Sequence, residues 1–189
     1  EKFVHSAEEL EMLFEASRKA GELGDRETDL LKNVLDLRNL TVDQVLVPVK
    51  KMDAVPYGLS LDQLLSVISK TKHSKLPVYK GSVDTIVGIL NTRDLFDWWS
   101  SSLKSAAGNG ELWNKQVKEF KIEKFLRQAY SIQNTDKASS LLDDLRKRKI
   151  QIAIVKDTNG KTVGLVTMED LLEEFVGEIY DEYDRPESK

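Results

Sequence analysis

The alternation of apolar and polar positions divides the chain into short elements. Ser6 precedes Ala7-Glu8-Glu9, an N-cap with Glu9 at the third helical position, and Leu10, Leu13 and Phe14 then recur at helical spacing. Gly21-Glu22-Leu23-Gly24 breaks that helix, and Asp25 is placed to cap a second one carrying Leu30, Leu31, Val34 and Leu35. Two such short amphipathic helices need a partner surface, because isolated ones are marginal in water.

Beyond them the pattern is written twice. The first copy has a helical stretch with Leu61, Leu64, Leu65 and Ile68, then a strand Leu76-Pro77-Val78-Tyr79. A turn around Lys80-Gly81-Ser82 leads to a second strand, Ile86 to Leu90, and Asn91-Thr92-Arg93-Asp94 starts a helix through Leu95, Phe96, Trp98 and Trp99. The second copy runs through Leu141, Leu142 and Leu145, then a strand from Ile152 to Val155. The turn Asp157-Thr158-Asn159-Gly160 precedes a strand from Thr162 to Val166, and Thr167-Met168-Glu169-Asp170 starts a helix through Leu171, Leu172, Phe175 and Val176. Gly88 aligns with Gly164, Asn91 with Thr167 and Asp94 with Asp170, without a gap. Between the copies, S-S-S-L-K-S-A-A-G-N-G from Ser100 to Gly110 is poor in large apolar residues and predicts a surface loop. Leu112 to Phe125 predicts a helix returning to the second copy, and the acidic end from Glu178 to Glu187 predicts exposed chain.

Composition narrows the chemistry. The 189 residues are 40% hydrophobic and 32% charged, a soluble globular mixture with room for one large domain or two small ones. With 0 Cys, disulfides, thiolate catalysis and Cys-based metal sites are excluded, and a reducing compartment fits. The 2 histidines, His5 and His73, cannot build a poly-histidine metal site within one chain. The net charge of -4 lacks the basic surplus of a general nucleic-acid binder. The run Arg146-Lys147-Arg148-Lys149 sits at a helix end, where cations are favoured, so no nucleic-acid partner is expected. No apolar run approaches the roughly 20 residues of a membrane span, and the start is not that of a signal peptide. The chain begins without Met, as a piece of a longer protein would.

The chemistry concentrates where a strand turns into a helix. Each copy has a small polar residue there and an Asp three positions on. Plain capping explains one such corner: Thr167 accepts an amide hydrogen bond, and Asp170 lies in the first turn, where negative charge is favoured. A ligand explains it equally, since a carboxylate accepts both hydroxyls of a ribose and free amides at a helix start face a phosphate. Gly88 and Gly164 fit either close approach of a ligand or a crowded strand position. Lys50, Lys51, Lys72, Lys75 and Arg93 offset a polyphosphate or simply form a solvated face. Glu173, Glu174, Glu178, Asp181, Glu182 and Asp184 read mainly as solvated surface, with a weak magnesium site as the alternative. Trp98, Trp99 and Trp113 read as packing or interface rather than stacking on a base.

The duplicated G-x-x-(T/N)-x-x-D corner resembles a tandem pair of cystathionine-beta-synthase-type (CBS) domains, a Bateman module. H-S-K-L-P-V-Y-K-G-S-V-D-T-I-V-G-I-L-N-T-R-D-L and G-L-V-T-M-E-D-L-L-E-E-F-V-G-E-I-Y-D-E-Y-D narrow the match. They are similar to the cytoplasmic module of the bacterial magnesium/cobalt efflux and haemolysin-like family, related to the animal cyclin-M-like transporters. The resemblance implies an α+β fold of two CBS domains related by a pseudo-twofold axis, each packing a small three-stranded mixed sheet on two helices. It divides the chain into leading helices (1–39) joining an absent membrane domain, a first CBS domain (40–99), an inserted loop or helix (100–120), a second CBS domain (121–184) and a tail (185–189).

The same resemblance implies a homodimer, attachment to the protein's own transmembrane domain on the cytoplasmic side of the inner or plasma membrane, and no enzymatic activity. The ligand it implies is ATP or another adenine nucleotide, with Mg2+ as a companion. The implied nucleotide site is Val47, Pro48, His73, Lys75, Pro77, Asn91, Asp94, Ile152, Ala153, Thr167 and Asp170. In it Thr167 and Asp170 hold ribose or the nearby phosphate, Val47-Pro48 lines the base pocket, and Lys75 approaches a later phosphate. Lys75 stands where Arg is frequent, keeping charge without the planar fork, and Asn91 stands where many modules have Thr or Ser. The implied function is regulatory nucleotide sensing coupled to magnesium/cobalt transport; the alternative is a nucleotide-silent dimerisation scaffold of the same membrane protein.

Overall fold

A computed structural model describes residues 5–106 and 109–177. The chain opens with α1 (Ala7–Lys19), α2 (Asp25–Leu37) and the single turn α3 (Val42–Val45), followed by the two-residue strands β1 (Val47–Pro48) and β2 (Val55–Pro56). The first copy supplies α4 (Leu61–Thr71), β3 (Lys75–Lys80), β4 (Ser82–Asn91) and α5 (Thr92–Ser105). Then come α6 (Gly110–Lys118), β5 (Leu126–Arg127) and β6 (Ser131–Gln133). The second copy supplies α7 (Ala138–Arg148), β7 (Ile152–Lys156), β8 (Thr162–Thr167) and α8 (Met168–Val176). The helix–strand–strand–helix repeat is present in both copies, and the fold is α+β. Its two sheets have four strands rather than three, in the orders β1-β8-β7-β6 and β2-β3-β4-β5. The added strands are two or three residues long, too short to leave an alternating pattern.

Two compact units cut across the repeat. Among the described residues one is built from 5–46, Ile132–Gln151 and 166–177, the other from Val47–Ser131 and Ile152–Leu165. In the first unit Ser6 and Glu9 close a capping box on α1: the Glu9 amide donates to Ser6 Oγ at 3.2 Å and the Ser6 amide to Glu9 Oε2 at 3.1 Å. On α2 the cap is Gly24, not Asp25. Glu27 accepts the Gly24 amide at 2.9 Å, while Asp25 is the first helical residue and takes Arg18 Nη1 at 3.0 Å. Lys32 on α2 bonds Glu15 on α1, and Arg18 adds a contact at 2.8 Å. The Lys32 bond, then that of Arg18, hold the Glu15 carboxyl down at about 2. This tie between the helices is therefore complete above the ordinary carboxylate range and is lost only as pH falls toward 2. α3 is clasped to the start of α7, with the Val42 amide on Asp136 O at 2.9 Å and the Ala138 amide on Leu40 O at 3.0 Å. Val42, Ala138, Leu141, Leu145 and Leu171 are buried in this unit.

In the second unit β2 runs parallel to β3, and β3–β4 and β4–β5 are antiparallel. Val55, Leu64, Leu76, Val78, Leu90 and Leu95 form its main core, with Ile122 and Phe125 against them. Trp98 packs edge-on against Phe125 at 5.6 Å, and Trp99 meets Trp113 at 5.4 Å. The tryptophans thus serve packing within the chain. A smaller cluster of Ile89, Ile152, Ile154 and Leu165 carries Val47, Met52 and Ile86 on its flank.

The predicted loop from Ser100 is helix as far as Ser105. Ser101 Oγ donates to Asp97 O at 2.8 Å and Ser105 Oγ to Ser101 O at 2.9 Å, so the serines satisfy themselves on the helix backbone, while Ser102 is buried. Asn109 then caps α6, its side chain accepting the Leu112 amide at 3.0 Å. The predicted helix from Leu112 to Phe125 ends at Lys118 and resumes as a 3-10 turn at Ile122–Phe125. The predicted exposed end from Glu178, with four of the six acidic candidates, and Gly108 lie outside the described residues.

Candidate functional site

The second corner is closed by its own residues. Thr167 is the cap of α8 and Asp170 its third helical residue. The Thr167 amide and Oγ1 both donate to Asp170 Oδ2 at 2.7 Å, and the Asp170 amide returns a bond to Thr167 Oγ1 at 3.1 Å. A threonine hydroxyl sits one bond from Cβ, which suits the third amide of the helix, and the aspartate reaches back to the cap. The carboxylate is thereby oriented, with Oδ2 filled by neutral donors. Val47 and Pro48 pair antiparallel with Leu165 and Gly164 of β8, the strand that ends at Thr167.

The first corner has the same spacing and different bonds. Asn91 caps α5 through the Arg93 amide at 3.1 Å, an Asx-type bond two residues on rather than three. Asp94 is left out of the cap. Its Oδ2 instead accepts Arg127 Nη2 at 2.7 Å and Nε at 3.1 Å. The corner motif of the repeat does not include Arg127. Its signal is positional: Leu126-Arg127 follows its turn as Leu46-Val47 follows α3. Gly88 marks a crowded strand position, since a Cβ there would meet Arg127 O and Leu126 Cβ at 3.0 Å each.

The other predicted residues fall into several environments. Lys75 lies opposite Asn91, and Pro77 opposite Ile89, in the β3–β4 ladder. Pro77, Ile152 and Ala153 are buried, and Ile152 belongs to the cluster with Ile89 and Leu165. His73 faces Asp53, Nε2 to Oδ2 at 3.1 Å, and lines an apolar groove of about 660 Å³ with Ile68, Thr92, Phe96 and Trp99. His73 is the single predicted site residue on that groove. Among the described residues no cluster of His, Asp or Glu is arranged to hold a metal ion.

The CBS domain family matches residues 42–101 and 122–177. The magnesium and cobalt efflux protein CorC of Escherichia coli K12 is 34% identical over 164 residues, 86% of this chain, and the chain spans 51% of that protein's length. The CBS domain of a bacterial CNNM/CorC family Mg2+ transporter is 33% identical with a TM-score of 0.80, over 94% of this chain and 100% of that one. A CBS domain of that family solved in complex with ATP is 34% identical with a TM-score of 0.68, over 79% of this chain and 96% of that one.

Proposed function

Because the chain belongs to the CBS domain family, as a CBS pair of the CNNM/CorC magnesium transporter type, we propose that it is a regulatory module that binds an adenine nucleotide and controls magnesium or cobalt transport by its parent protein. The observation that carries this is the Thr167–Asp170 corner. It holds a carboxylate in a fixed orientation at the start of a nine-residue helix, with one oxygen anchored. Among the described residues Oδ1 accepts no hydrogen bond and is the acceptor offered to the ribose hydroxyls. The ATP complex of a similar CBS domain supports the choice of ligand. ATP, with Mg2+ as its companion, is the nucleotide proposed.

The module is a binding device and not an enzyme: the corner has an oriented acceptor but no paired base and nucleophile. Control requires that nucleotide bind two states of the module with different affinity. The parent's membrane domain lies outside this chain, and the module works on its cytoplasmic face. The chain spans 51% of the efflux relative's length, which leaves room for such a domain in the parent. A homodimer is part of the same proposal, with the exposed Phe96 and Leu172, each two residues after its Asp, as apolar side chains it would cover.

Calorimetry with ATP, ADP and AMP, with and without Mg2+, tests the reading. Asp170→Ala is expected to lower affinity by tenfold or more, about 1.5–3 kcal/mol for charged hydrogen bonds, and Asp170→Asn by less. Circular dichroism checks that each variant folds. No binding at millimolar nucleotide would leave the scaffold role in its place. Sedimentation of the same samples as monomers at high micromolar concentration would remove the homodimer.

A further inference from the structure

The two corners differ at one register position that the repeat itself identifies. β1 lies against β8 with Val47 opposite Leu165, and β5 lies against β4 with Arg127 opposite Ile89. Leu165 and Ile89 each follow the corner glycine, Gly164 and Gly88. Arg127 therefore stands in its sheet where Val47 stands in the other. A valine has no reach from that position. The arginine extends to Asp94 and fills Oδ2 with two donors of one guanidinium. The backbone at the root of that side chain packs closely on Gly88, where a Cβ would meet Arg127 O at 3.0 Å.

A carboxylate that anchors a ribose must accept from its hydroxyls. At the second corner the donors on Asp170 among the described residues are neutral and belong to the helix start, so the charge remains available. At the first corner a cation is seated on the carboxylate. A ribose entering there must compete with a charge-assisted, two-donor bond for the carboxylate and displace the guanidinium into water. We infer that Arg127 is the specificity-determining residue that closes the first corner to a ribose, so that the chain takes a single nucleotide, at the second. The inference rests on the nucleotide reading of the second corner and adds to it the reason why two like corners are not two sites.

The test is the number of adenosine molecules bound per chain in equilibrium dialysis, with adenosine chosen so that phosphate attraction to Arg127 does not enter. The wild type is expected to bind one and Arg127→Val two. Asp170→Ala is expected to bind its one adenosine tenfold or more weakly, and the double variant Asp170→Ala/Arg127→Val to regain one tight site. Arg127→Met, which keeps the apolar stem and removes the cation, is expected to match Arg127→Val and guards against a strand that fails to form. If neither variant binds more than the wild type, the inference is overturned, whatever the wild type binds. If the wild type binds none, the nucleotide reading of the second corner fails on its own; a gain of one in Arg127→Val would still uphold the latch. Weaker ATP binding in Arg127→Val with no gain of adenosine would make Arg127 a phosphate ligand and also overturn it.

Discussion

At the start of α8, Thr167 and Asp170 close on each other; at the start of α5, Asn91 and Asp94 turn to different partners. Spacing, glycine and aspartate are shared. The difference begins with the cap residue. A threonine oxygen meets the third amide and leaves the aspartate free to bond the cap in return. The longer asparagine amide takes the second amide, and the aspartate is released. What a released carboxylate then does is decided elsewhere, by whichever cation the neighbouring strand supplies. Here that is Arg127, 33 residues further along the chain. A repeat in sequence is thus a repeat of backbone, and its polar chemistry diverges residue by residue.

The largest effect expected concerns what the two corners share. Leu95 and Leu171 each follow the corner aspartate and are fully buried. Leu95→Ala and Leu171→Ala should each cost about 2–5 kcal/mol in urea unfolding, since both remove a packed side chain and leave a cavity. A cost confined to one of them would break the equivalence of the copies at the level of packing.

A smaller effect separates the caps. Thr167→Ala removes a reciprocal box and should cost about 1–2 kcal/mol, whereas Asn91→Ala removes one bond and should cost about 0.5–1 kcal/mol. Equal losses in the same unfolding experiment would mean that the box adds nothing beyond a single cap bond.

The smallest effect lies in the ion pair. Arg127 is 67% exposed and Asp94 35%, so Asp94→Asn should cost no more than about 1 kcal/mol. The cost should shrink as salt is raised, since the pair is open to screening. A salt-independent loss would show that Asp94 acts through the helix start rather than through Arg127.

Much of the fold was legible along the chain. Apolar spacing marked α4, α5, α7, α8 and the four longer strands, because each buries one face and the period of burial is the period of the element. Ser6 was legible as a cap because its partner Glu9 is three residues away. The same locality made Thr167 and Asp170 visible as a corner. Asp25 is the first helical residue rather than the cap, because Gly24 needs no side chain when Glu27 reaches back. The serines from Ser100 to Ser105 read as a loop because their hydroxyl bonds to the helix backbone leave no trace in hydrophobicity.

By itself the sequence determined the order of the longer elements of each copy, the duplication, the absence of thiol chemistry and the family. These depend on residue type and local spacing, which the chain carries whether folded or not. Tertiary structure alone decided that Arg127 rests on Asp94, that His73 faces Asp53 and an apolar groove, and that Ile152 and Ala153 are buried. It also decided that the strands of the second copy share a cluster with Ile89 of the first. Those facts depend on strand register and on contacts between distant segments. No periodicity encodes them, because pairing across a sheet is fixed only when the whole set of strands packs at once.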